Sequence, residues 1–575
     1  MTDTASPFPE LGLQVRTGGQ VLVDALRIHG VDTVFSVPGE SFLPVIDALH
    51  DAHAEIRLIT CRQEGNAAHM AEAYAKLRGV PGICLVTRGP GATNASIGIH
   101  TAQQDSTPLV VLVGQVSRAS FGREAWQELD CARVFSPMAK WAVQVERAER
   151  IPEVLARAFH VAASGRAGPV VVALPEDLLY ETVTVADTGA YASVQAHPGA
   201  QDMQRLREML AAARRPLLVV GGGGWSRAAC DDLARFAHRF VLPVATAFRR
   251  QDLIDNLSPC FVGDMGLGID SALARRVREA DLIVALGTRL GETSTQDGSL
   301  LAAPRPQQRL VHIHADGAEL GRVYQPALAI QSGMPQFCAA AAALAPLAAA
   351  DAPAAWTAWS ADARADYVAT LTPRAASSAL DMGAVMVHLR EVLPADAILT
   401  NGAGNYAGWV HRFYPYRGFR TQLAPTSGAM GYGIPAACAA ALVHPQRTVV
   451  CFAGDGCFQM SMQELGTVRQ LGLRIVFIVV NNGMFGSIRM HQEMHFPGRV
   501  HGTVLDNPDF TALARAYGMH AEVVETTQDF APAFARAQAH GGASLLELRT
   551  DPQVITPRTT LHDLRARALA QHGQA

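Results

Sequence analysis

Residues 448–456 read Thr-Val-Val-Cys-Phe-Ala-Gly-Asp-Gly, and residues 475–486 read Ile-Val-Phe-Ile-Val-Val-Asn-Asn-Gly-Met-Phe-Gly. Each begins with an apolar, β-branched run, which predicts a strand buried on both faces of a parallel sheet. Twenty-five residues separate Gly456 from Asn482, which suits one crossover helix over 463–470. Asp455 and Asn482 are therefore predicted to lie at the same carboxyl edge of one sheet, where open α/β sheets bind their ligands.

Similar apolar runs recur along the chain and indicate its fold class. They alternate with amphipathic helical patterns, which predicts an α/β fold of three doubly wound parallel-sheet domains. The composition shifts after Pro175 and again across residues 339–373. We therefore predict domains at residues 12–180, 200–345 and 380–555. The runs outside the third segment are Ile83–Val86, Leu109–Val113, Val170–Leu174, Leu217–Val220 and Leu282–Leu286.

Composition excludes several classes of protein. Charged residues make up 17% of the 575 residues and the net charge is −4, which excludes a polybasic nucleic-acid binder and an acidic disordered chain. The nine cysteines are scattered without a Cys-x-x-Cys pair, which argues against a disulfide framework or a zinc site. We see no secretory signal and no apolar run near the roughly 20 residues of a membrane span. The expectation is a soluble, cytoplasmic protein that binds neither nucleic acid nor membrane.

The predicted sheet edge carries groups suited to a metal and a phosphate. Asp455 and Asn482 supply a carboxylate and an amide oxygen, which are hard ligands of the kind that Mg²⁺ prefers. The neighbouring glycines expose backbone N–H groups that can surround a phosphate. Two simple strand-end turns are the alternative, because Asp-Gly and Asn-Gly form such turns readily. The pairing of both motifs directly after buried strands favours the magnesium diphosphate site.

Gly-Asp-Gly, a gap of this size and Asn-Asn resemble the diphosphate- and Mg²⁺-binding motif of thiamine diphosphate enzymes. The resemblance continues through most of the chain, so the three segments would be pyrimidine-binding, middle and diphosphate-binding domains. It implies that Mg²⁺ is bound by Asp455, Asn482 and the backbone carbonyl of Met484. The other residues that it implies at the cofactor are Gly404, Asn405, Tyr406, Gly428, Met430, Gly454, Gly456, Cys457, Phe485 and Gly486.

Family resemblance also identifies two residues that act on the cofactor. Glu64, near the start of a predicted helix, resembles the glutamate that hydrogen-bonds the pyrimidine ring and shares a proton with it. Burial would disfavour the charged form of such a carboxyl, as this task requires. A surface glutamate favoured by the helix dipole is the alternative. Met430 stands where the family has the apolar residue that bends the cofactor, and Gln63 replaces the histidine of many relatives.

Within the family, residues 87–94, 104–109 and 114–116 look most like the acetolactate synthase branch. That branch implies a 2-keto acid substrate and decarboxylating carboligation of pyruvate. The alternatives are a non-oxidative 2-keto acid decarboxylase or related lyase and, from a different class, a non-catalytic cofactor-binding paralogue.

Two departures from the synthase pattern bear on the substrate. His491 stands where synthases have a tryptophan, and Glu40 stands where keto-acid decarboxylases have an acid. Glu40 is a candidate proton donor, although a solvated loop glutamate is the alternative. Glu40, Gln115, Arg489 and His491 are therefore candidates for deciding whether a second carbonyl or a proton is captured.

The sequence says less about the ligand of the middle segment and about the oligomeric state. Residues 287–289, Gly-Thr-Arg, resemble part of the FAD site of acetolactate synthases, but residues 246–250 and 290–293 depart from the synthase pattern. The resemblance thus leaves FAD open. Active sites of this family lie between two chains, which implies a homodimer or homotetramer. The sequence does not decide whether a regulatory subunit is present.

Overall fold

The computed structural model describes residues 14–347, 354–374 and 378–572. The chain forms two compact units, the first ending at Val194 and the second beginning at Gln195. One six-stranded sheet lies in the first unit and two lie in the second. All three are parallel throughout and are flanked by helices. The predicted α/β fold of three doubly wound parallel sheets is confirmed.

The strands are numbered in chain order. They are β1 (Gln14–Thr17), β2 (Thr33–Ser36), β3 (Arg57–Thr60), β4 (Gly82–Val86), β5 (Leu109–Gln115), β6 (Trp141–Gln144), β7 (Pro169–Pro175), β8 (Thr182–Val185), β9 (Pro216–Val220), β10 (Val244–Ala247), β11 (Phe261–Met265), β12 (Leu282–Leu286), β13 (Arg309–His314), β14 (Leu328–Gln331), β15 (Ile398–Asn401), β16 (Gln422–Leu423), β17 (Val449–Gly454), β18 (Val476–Asn481), β19 (His520–Val524), β20 (Ser544–Arg549), β21 (Val554–Thr556) and β22 (Thr559–Thr560).

The α-helices are numbered in the same way. They are α1 (Gly18–Ile28), α2 (Leu43–Asp51), α3 (Glu64–Arg78), α4 (Gly89–Asp105), α5 (Cys131–Phe135), α6 (Ile151–Ala163), α7 (Glu176–Tyr180), α8 (Ala200–Ala211), α9 (Arg227–Phe240), α10 (Ser271–Glu279), α11 (Glu292–Thr295), α12 (Met334–Ala343), α13 (Ala354–Thr370), α14 (Met382–Val392), α15 (Ala407–Phe413), α16 (Gly433–Val443), α17 (Asp455–Gln459), α18 (Leu465–Leu471), α19 (Gly486–His495), α20 (Phe510–Ala516), α21 (Thr527–Ala539) and α22 (Leu561–His572). Short 3₁₀ helices cover Glu40–Phe42, Arg118–Ser120, Ala148–Arg150, Gln251–Leu253, Gly317–Glu319 and Met462–Glu464.

Strand order places the loops of each sheet. The first sheet has the order β3-β2-β4-β5-β7-β6 and the third the equivalent order β16-β15-β17-β18-β20-β19. The second has the order β11-β10-β9-β12-β13-β14. The chain reverses its direction of travel across the sheet between β2 and β4, between β9 and β12, and between β15 and β17. The loops at the carboxyl ends of these strand pairs diverge and leave the crevices in which such sheets bind ligands.

Uniformly apolar strands form because helices cover both faces of each sheet. In β12, Leu282, Val284 and Leu286 pack into one apolar core, while Ile283 and Ala285 pack into a second core on the opposite face. Because successive side chains of a strand point to opposite faces, a continuous apolar run is what two buried faces require.

The segment at 339–373 contains helix where it is described. Trp356 of α13 is buried and its indole Nε1 donates a 3.1 Å hydrogen bond to the carbonyl of Val241. Tyr367 lies edge-on to Phe261 of β11, with ring centroids 4.8 Å apart. Residues 12–13 of the predicted first domain and 348–353 of this segment lie outside the described residues. The three domain boundaries remain predictions. No helix in the described part of the chain is both long and apolar enough to cross a lipid bilayer.

Candidate active site

A cavity of about 310 Å³ lies at the carboxyl ends of β15, β17 and β18. The loop after β15, the loop after β16 and the turns that follow β17 and β18 form part of its walls, and residues from the segments 373–383 and 550–557 complete them. Every cofactor residue predicted from the sequence lines this one cavity: Gly404, Asn405, Tyr406, Gly428, Met430, Gly454, Asp455, Gly456, Cys457, Asn482, Met484, Phe485 and Gly486. The roles of these residues at a cofactor remain predictions.

Asp455 is a buried carboxylate of the cavity with several hydrogen-bond donors around it. It begins α17 and is 2% exposed. Its Oδ1 accepts a hydrogen bond from the backbone N–H of Gly456 at 2.9 Å, and its Oδ2 accepts one from Gly483 at 2.9 Å. Burial raises the pKa of this carboxyl, and the surrounding N–H donors oppose that rise. A bound cation would favour the charged form further.

Asn507 completes the surroundings of Asp455, and sequence reasoning missed it. Its Nδ2 donates to Asp455 Oδ2 at 2.8 Å and to Asn481 Oδ1 at 2.9 Å. Its Oδ1 accepts from Gln459 Nε2 at 2.9 Å. Asn507 lies in a loop between Asp506 and Pro508, a composition that indicates a turn and nothing more. No local pattern could have identified it.

The turn after β18 is fixed by a neighbouring segment. The backbone N–H of Leu505 donates to the carbonyl of Gly483 at 2.8 Å, and that of Phe485 donates to Thr503 at 2.9 Å. Asn482 Oδ1 accepts from the N–H of Met484 at 3.3 Å. Gly483 has φ +67°, a backbone conformation that favours glycine. The turn therefore holds its oxygen atoms in place before any ligand arrives.

The donors at this edge fit Mg²⁺ together with a diphosphate. They comprise one carboxylate, one amide oxygen and backbone carbonyls, and Mg²⁺ typically binds through one or two carboxylates plus phosphate oxygens and water. Among the described residues, no group of three or more His, Cys, Asp or Glu side chains is arranged to hold a metal. A metal at this edge would thus depend on the diphosphate for part of its ligand shell.

Cys457 and Tyr406 connect two walls of the cavity. The Cys457 Sγ accepts from the N–H of Gly431 at 3.2 Å and from the Tyr406 hydroxyl at 3.4 Å. That hydroxyl also accepts from the N–H of Gly402 at 3.0 Å. Burial raises the pKa of the Cys457 thiol. Because the thiol is occupied by these contacts, only the backbone of Cys457 is left to face a phosphate.

Met430, in the loop after β16, and Asn405, in the loop after β15, also line the cavity. Met430 is partly buried and packs against the apolar core of the third sheet. Asn405 Oδ1 accepts a 2.8 Å hydrogen bond from the hydroxyl of Ser487. This bond joins the loop after β15 to the start of α19, so the two walls are held across the cavity.

Glu64 begins α3 in the first unit and is half-buried. Its Oε2 accepts a 2.9 Å hydrogen bond from Asn94 Nδ2. Gln63 is the N-cap of the helix, since its Oε1 accepts from the N–H of Asn66 at 2.9 Å. Gln63 therefore has a structural task, as N-cap residues do.

Glu40 follows β2 and Gln115 ends β5 of the first sheet, and their surroundings differ. Glu40 is exposed, and its Oε1 lies 3.6 Å from Nη2 of Arg88. Arg88 is 7% exposed and pairs with Glu176 at 2.7 Å. Gln115 is 1% exposed; its Nε2 donates to the carbonyl of Leu129, and its Oε1 accepts from the N–H of Val116 at 2.9 Å. Glu40 can reach a ligand from this edge, whereas the amide of Gln115 is engaged by its own unit.

The crevice of the second sheet, between β9 and β12, is narrow. A Cβ at Gly222 would lie 1.9 Å from the carbonyl oxygen of Gly287. The indole of Trp225 donates to the carbonyl of Gly221 at 2.8 Å, and Arg250 donates to that of Gly222. The two glycine loops therefore touch, and side chains of the chain itself occupy their carbonyls.

Comparison with known proteins agrees with this architecture. Sequence profiles of three domains match the chain: the N-terminal TPP binding domain of thiamine pyrophosphate enzymes at residues 16–134, the central domain at 203–341 and the C-terminal TPP binding domain at 402–548. The acetolactate synthase large subunit of Parasynechococcus marenigrum (strain WH8102) is 35% identical over 518 residues, which cover 88% of this chain and 83% of that protein.

Two further relatives match over nearly their whole length. The acetolactate synthase isozyme 2 large subunit of Escherichia coli (strain K12) is 32% identical, covering 93% of this chain and 95% of its own. An acetolactate synthase of Arthrospira platensis is 31% identical, covering 93% and 94%. The chain therefore belongs to the family of thiamine pyrophosphate (thiamine diphosphate) enzymes, and it is a carboligase or decarboxylase of that family.

Proposed function

We propose that this enzyme is an acetolactate synthase-like carboligase that decarboxylates pyruvate with thiamine diphosphate and Mg²⁺ and joins the remaining fragment to a second 2-keto acid. The observation that carries the proposal is the cavity at the carboxyl ends of β15, β17 and β18. One buried carboxylate, one amide oxygen and several glycine turns converge there. The names of the relatives, acetolactate synthase large subunits, support the same substrate class.

The side chains of Asp455 and Asn482 and the carbonyl of Met484 would hold Mg²⁺. The backbone N–H groups of the glycine turns would hold the diphosphate. When bound, thiamine diphosphate supplies an electron sink for cleavage of the bond between the carboxylate and the keto carbon. Met430 would support the cofactor from the apolar side of the cavity, since it is anchored against the core of the third sheet.

Glu64 would exchange a proton with a ring nitrogen of the pyrimidine, from a second copy of the chain. Its partial exposure in a single chain supports this arrangement, because a carboxyl with this task needs to be desolvated and a partner chain can cover it. We accordingly propose at least a homodimer. Residues 12–180, 200–345 and 380–555 would then be its pyrimidine-binding, middle and diphosphate-binding domains.

The crevice between β9 and β12 is the candidate place for FAD in the second sheet, and FAD stays open there. Trp225 and Arg250 hold the carbonyls of Gly221 and Gly222 there, and the two glycine loops are in contact. The first turn of α9 is capped by the Ser226 hydroxyl, which accepts from the N–H of Ala229 at 3.1 Å, so this N–H is not available to a phosphate. The absorbance spectrum of the purified protein tests this: a stoichiometric flavin band would show bound FAD, and its absence would reject FAD.

Non-oxidative decarboxylation of a 2-keto acid is the second candidate function. The exposed carboxylate of Glu40 favours it, because a proton donor at this edge could complete an aldehyde product. The first experiment therefore supplies the full-length enzyme with thiamine diphosphate, Mg²⁺ and pyruvate, and measures CO₂, acetolactate and acetaldehyde. Acetolactate as the main product supports the carboligase, and acetaldehyde supports the decarboxylase. Absence of CO₂ release would reject pyruvate as the donor.

A further inference from the structure

We propose that Arg249, which lies outside every cofactor motif, is a positioning residue for the loops that carry the cofactor; this inference rests on the proposed cofactor site. Arg249 follows β10 of the second sheet and is 4% exposed. Its Nη2 donates to the carbonyl of Gly402 at 3.0 Å, and its Nη1 donates to the carbonyl of Pro425. Gly402 begins the loop after β15, and Pro425 precedes the loop that contains Gly428 and Met430. One side chain thus joins two walls of the cavity.

Guanidinium is suited to this task in a way that an ammonium group is not. Its N–H donors lie in one plane at fixed separation, so two carbonyls that both accept from it are held at a fixed spacing. The two carbonyls belong to loops that enter the cavity from neighbouring strands, β15 and β16. A shift of either loop would break a hydrogen bond to a buried charge.

The backbone at Arg249 has a conformation that is unfavourable for arginine. Its φ is +60°, in the left-handed region, which is strained for a residue with a Cβ. Burying a charged side chain is a second cost. Conformations of this kind persist where the surrounding structure enforces them, and they cluster at functional sites. The two carbonyl contacts give a reason why arginine, and not glycine, occupies the position.

Two titratable groups respond to the charge of Arg249. Burial raises the pKa of Asp264 at the end of β11 to about 7, and the Thr246 hydroxyl and the Arg249 guanidinium both act against that rise. Burial, followed by the charge of Arg249, lowers the pKa of His411 to about 3, so this imidazole is neutral. His411 Nε2 lies 3.1 Å from Oδ1 of Asn401, the residue before Gly402. The guanidinium therefore faces one carboxyl and one neutral ring.

The segment that carries Arg249 is itself fixed to the third sheet. The N–H of Gln251 donates to Gln422 Oε1 at 2.8 Å, and Gln422 Nε2 donates to Gln251 Oε1 at 3.0 Å. Gln251 Nε2 donates to the carbonyl of His411 at 2.8 Å. This hydrogen-bond network anchors the loop after β10 to the third sheet. Arg249, which lies in that loop, therefore holds the cofactor loops at a fixed position relative to the second sheet.

The test measures cofactor binding directly, by titrating thiamine diphosphate with Mg²⁺ into the full-length apoprotein in a calorimeter. Arg249→Lys keeps the charge but not the planar pair of donors, and Arg249→Gly relieves the backbone while removing the guanidinium. We expect each to raise the Kd about tenfold or more. Added guanidinium chloride at millimolar concentration should partly restore binding by Arg249→Gly. Arg250→Lys, which alters the neighbouring contact to Gly222, should leave the Kd unchanged.

Each outcome bears either on the positioning role of Arg249 or on the proposed cofactor site. Wild-type Kd values in folded Arg249→Lys and Arg249→Gly would overturn the positioning role. Unfolding of both variants, judged by circular dichroism, would also overturn it, because Arg249 would then serve general stability. Failure of the wild type to bind, or unchanged binding by Asp455→Asn, would instead reject the proposed cofactor site.

Discussion

Asn507 Nδ2 donates a 2.8 Å hydrogen bond to Oδ2 of Asp455, the carboxylate oxygen that also accepts from the N–H of Gly483. The same amide group donates to Asn481 Oδ1 at the end of β18. A residue from a loop 52 positions further along the chain than Asp455 thus fixes the orientation of the predicted metal ligand. Residues behind a ligand commonly set its orientation and the affinity of the site.

Replacing Asn507 with alanine should weaken Mg²⁺ binding about tenfold or more, because Asp455 would lose an orienting donor. The measurement is a Mg²⁺ titration of thiamine diphosphate binding to the full-length apoprotein. Thr526→Ala is the control, since it removes a helix cap that lies outside the cavity. Equal Mg²⁺ affinities in wild type and Asn507→Ala would mean that Asp455 does not bind the metal in the orientation described.

Glu64→Gln should slow the exchange of the thiamine C2 proton for deuterium by about a hundredfold or more, because the amide cannot move a proton at the pyrimidine ring. The exchange is measured by NMR after an acid quench, on cofactor-loaded enzyme without substrate. Glu55→Gln changes an exposed carboxyl paired with Arg27 and is the matched control. Equally slow exchange in wild type and Glu64→Gln would contradict an active role for Glu64.

The sequence predicted those features that depend on local pattern. The apolar runs gave the central strands, because strands covered on both faces need continuous apolar residues, as β12 does. Asp455 and Asn482 were predicted to share an edge because parallel strands joined by a crossover bring their carboxyl ends together, and both line one cavity. These inferences require only strand periodicity and the handedness of the connection.

Residues that act across the chain left no such pattern. Asn507 is recognisable only once its loop has folded against Asp455. Arg249 lies in a loop whose sequence was noted only because it departs from the acetolactate synthase pattern. Its contact with Gly402 joins residues 153 positions apart. The sequence marks the segment at 339–373 only as a composition shift between two domains, yet its Trp356 is buried against the second sheet. The positions of Asn507, Arg249 and Trp356 all depend on tertiary contacts, which the periodicity of the sequence does not predict.

Glu493→Gln should lower the melting temperature at pH 7 by about 4 °C, and the loss should shrink as the pH falls. Hydrogen bonds from Arg565, from the N–H of Gly498 and from Arg489 lower the pKa of the buried Glu493 to about 2, against the opposing effect of burial. A carboxyl with a depressed pKa stabilises the fold above its unfolded pKa of about 4.3 and loses that contribution as the pH falls towards 2.

Melting temperatures of wild type and Glu493→Gln between pH 7 and pH 3 provide the measurement. Because Arg565 lies on α22 and Glu493 on α19, the variant removes the charge that joins these helices. Glu55→Gln, at an exposed ion pair, should change the melting temperature little at any of these pH values. A gap between wild type and Glu493→Gln that is independent of pH would contradict the assignment of the stability to the ionised carboxylate.

Glu40→Gln should shift the product ratio of the pyruvate reaction from acetaldehyde towards acetolactate by about tenfold or more, if the Glu40 carboxyl donates the proton that completes the aldehyde. The amide retains the size of the side chain and its proximity to Arg88, so proton donation is the property that changes. Product ratios are measured under single-substrate conditions at equal conversion. Glu181→Gln, which alters the pairing with Arg118 in the same unit, is the control. An unchanged ratio in Glu40→Gln would remove Glu40 from the reaction, and with it the observation that favours the decarboxylase over the carboligase.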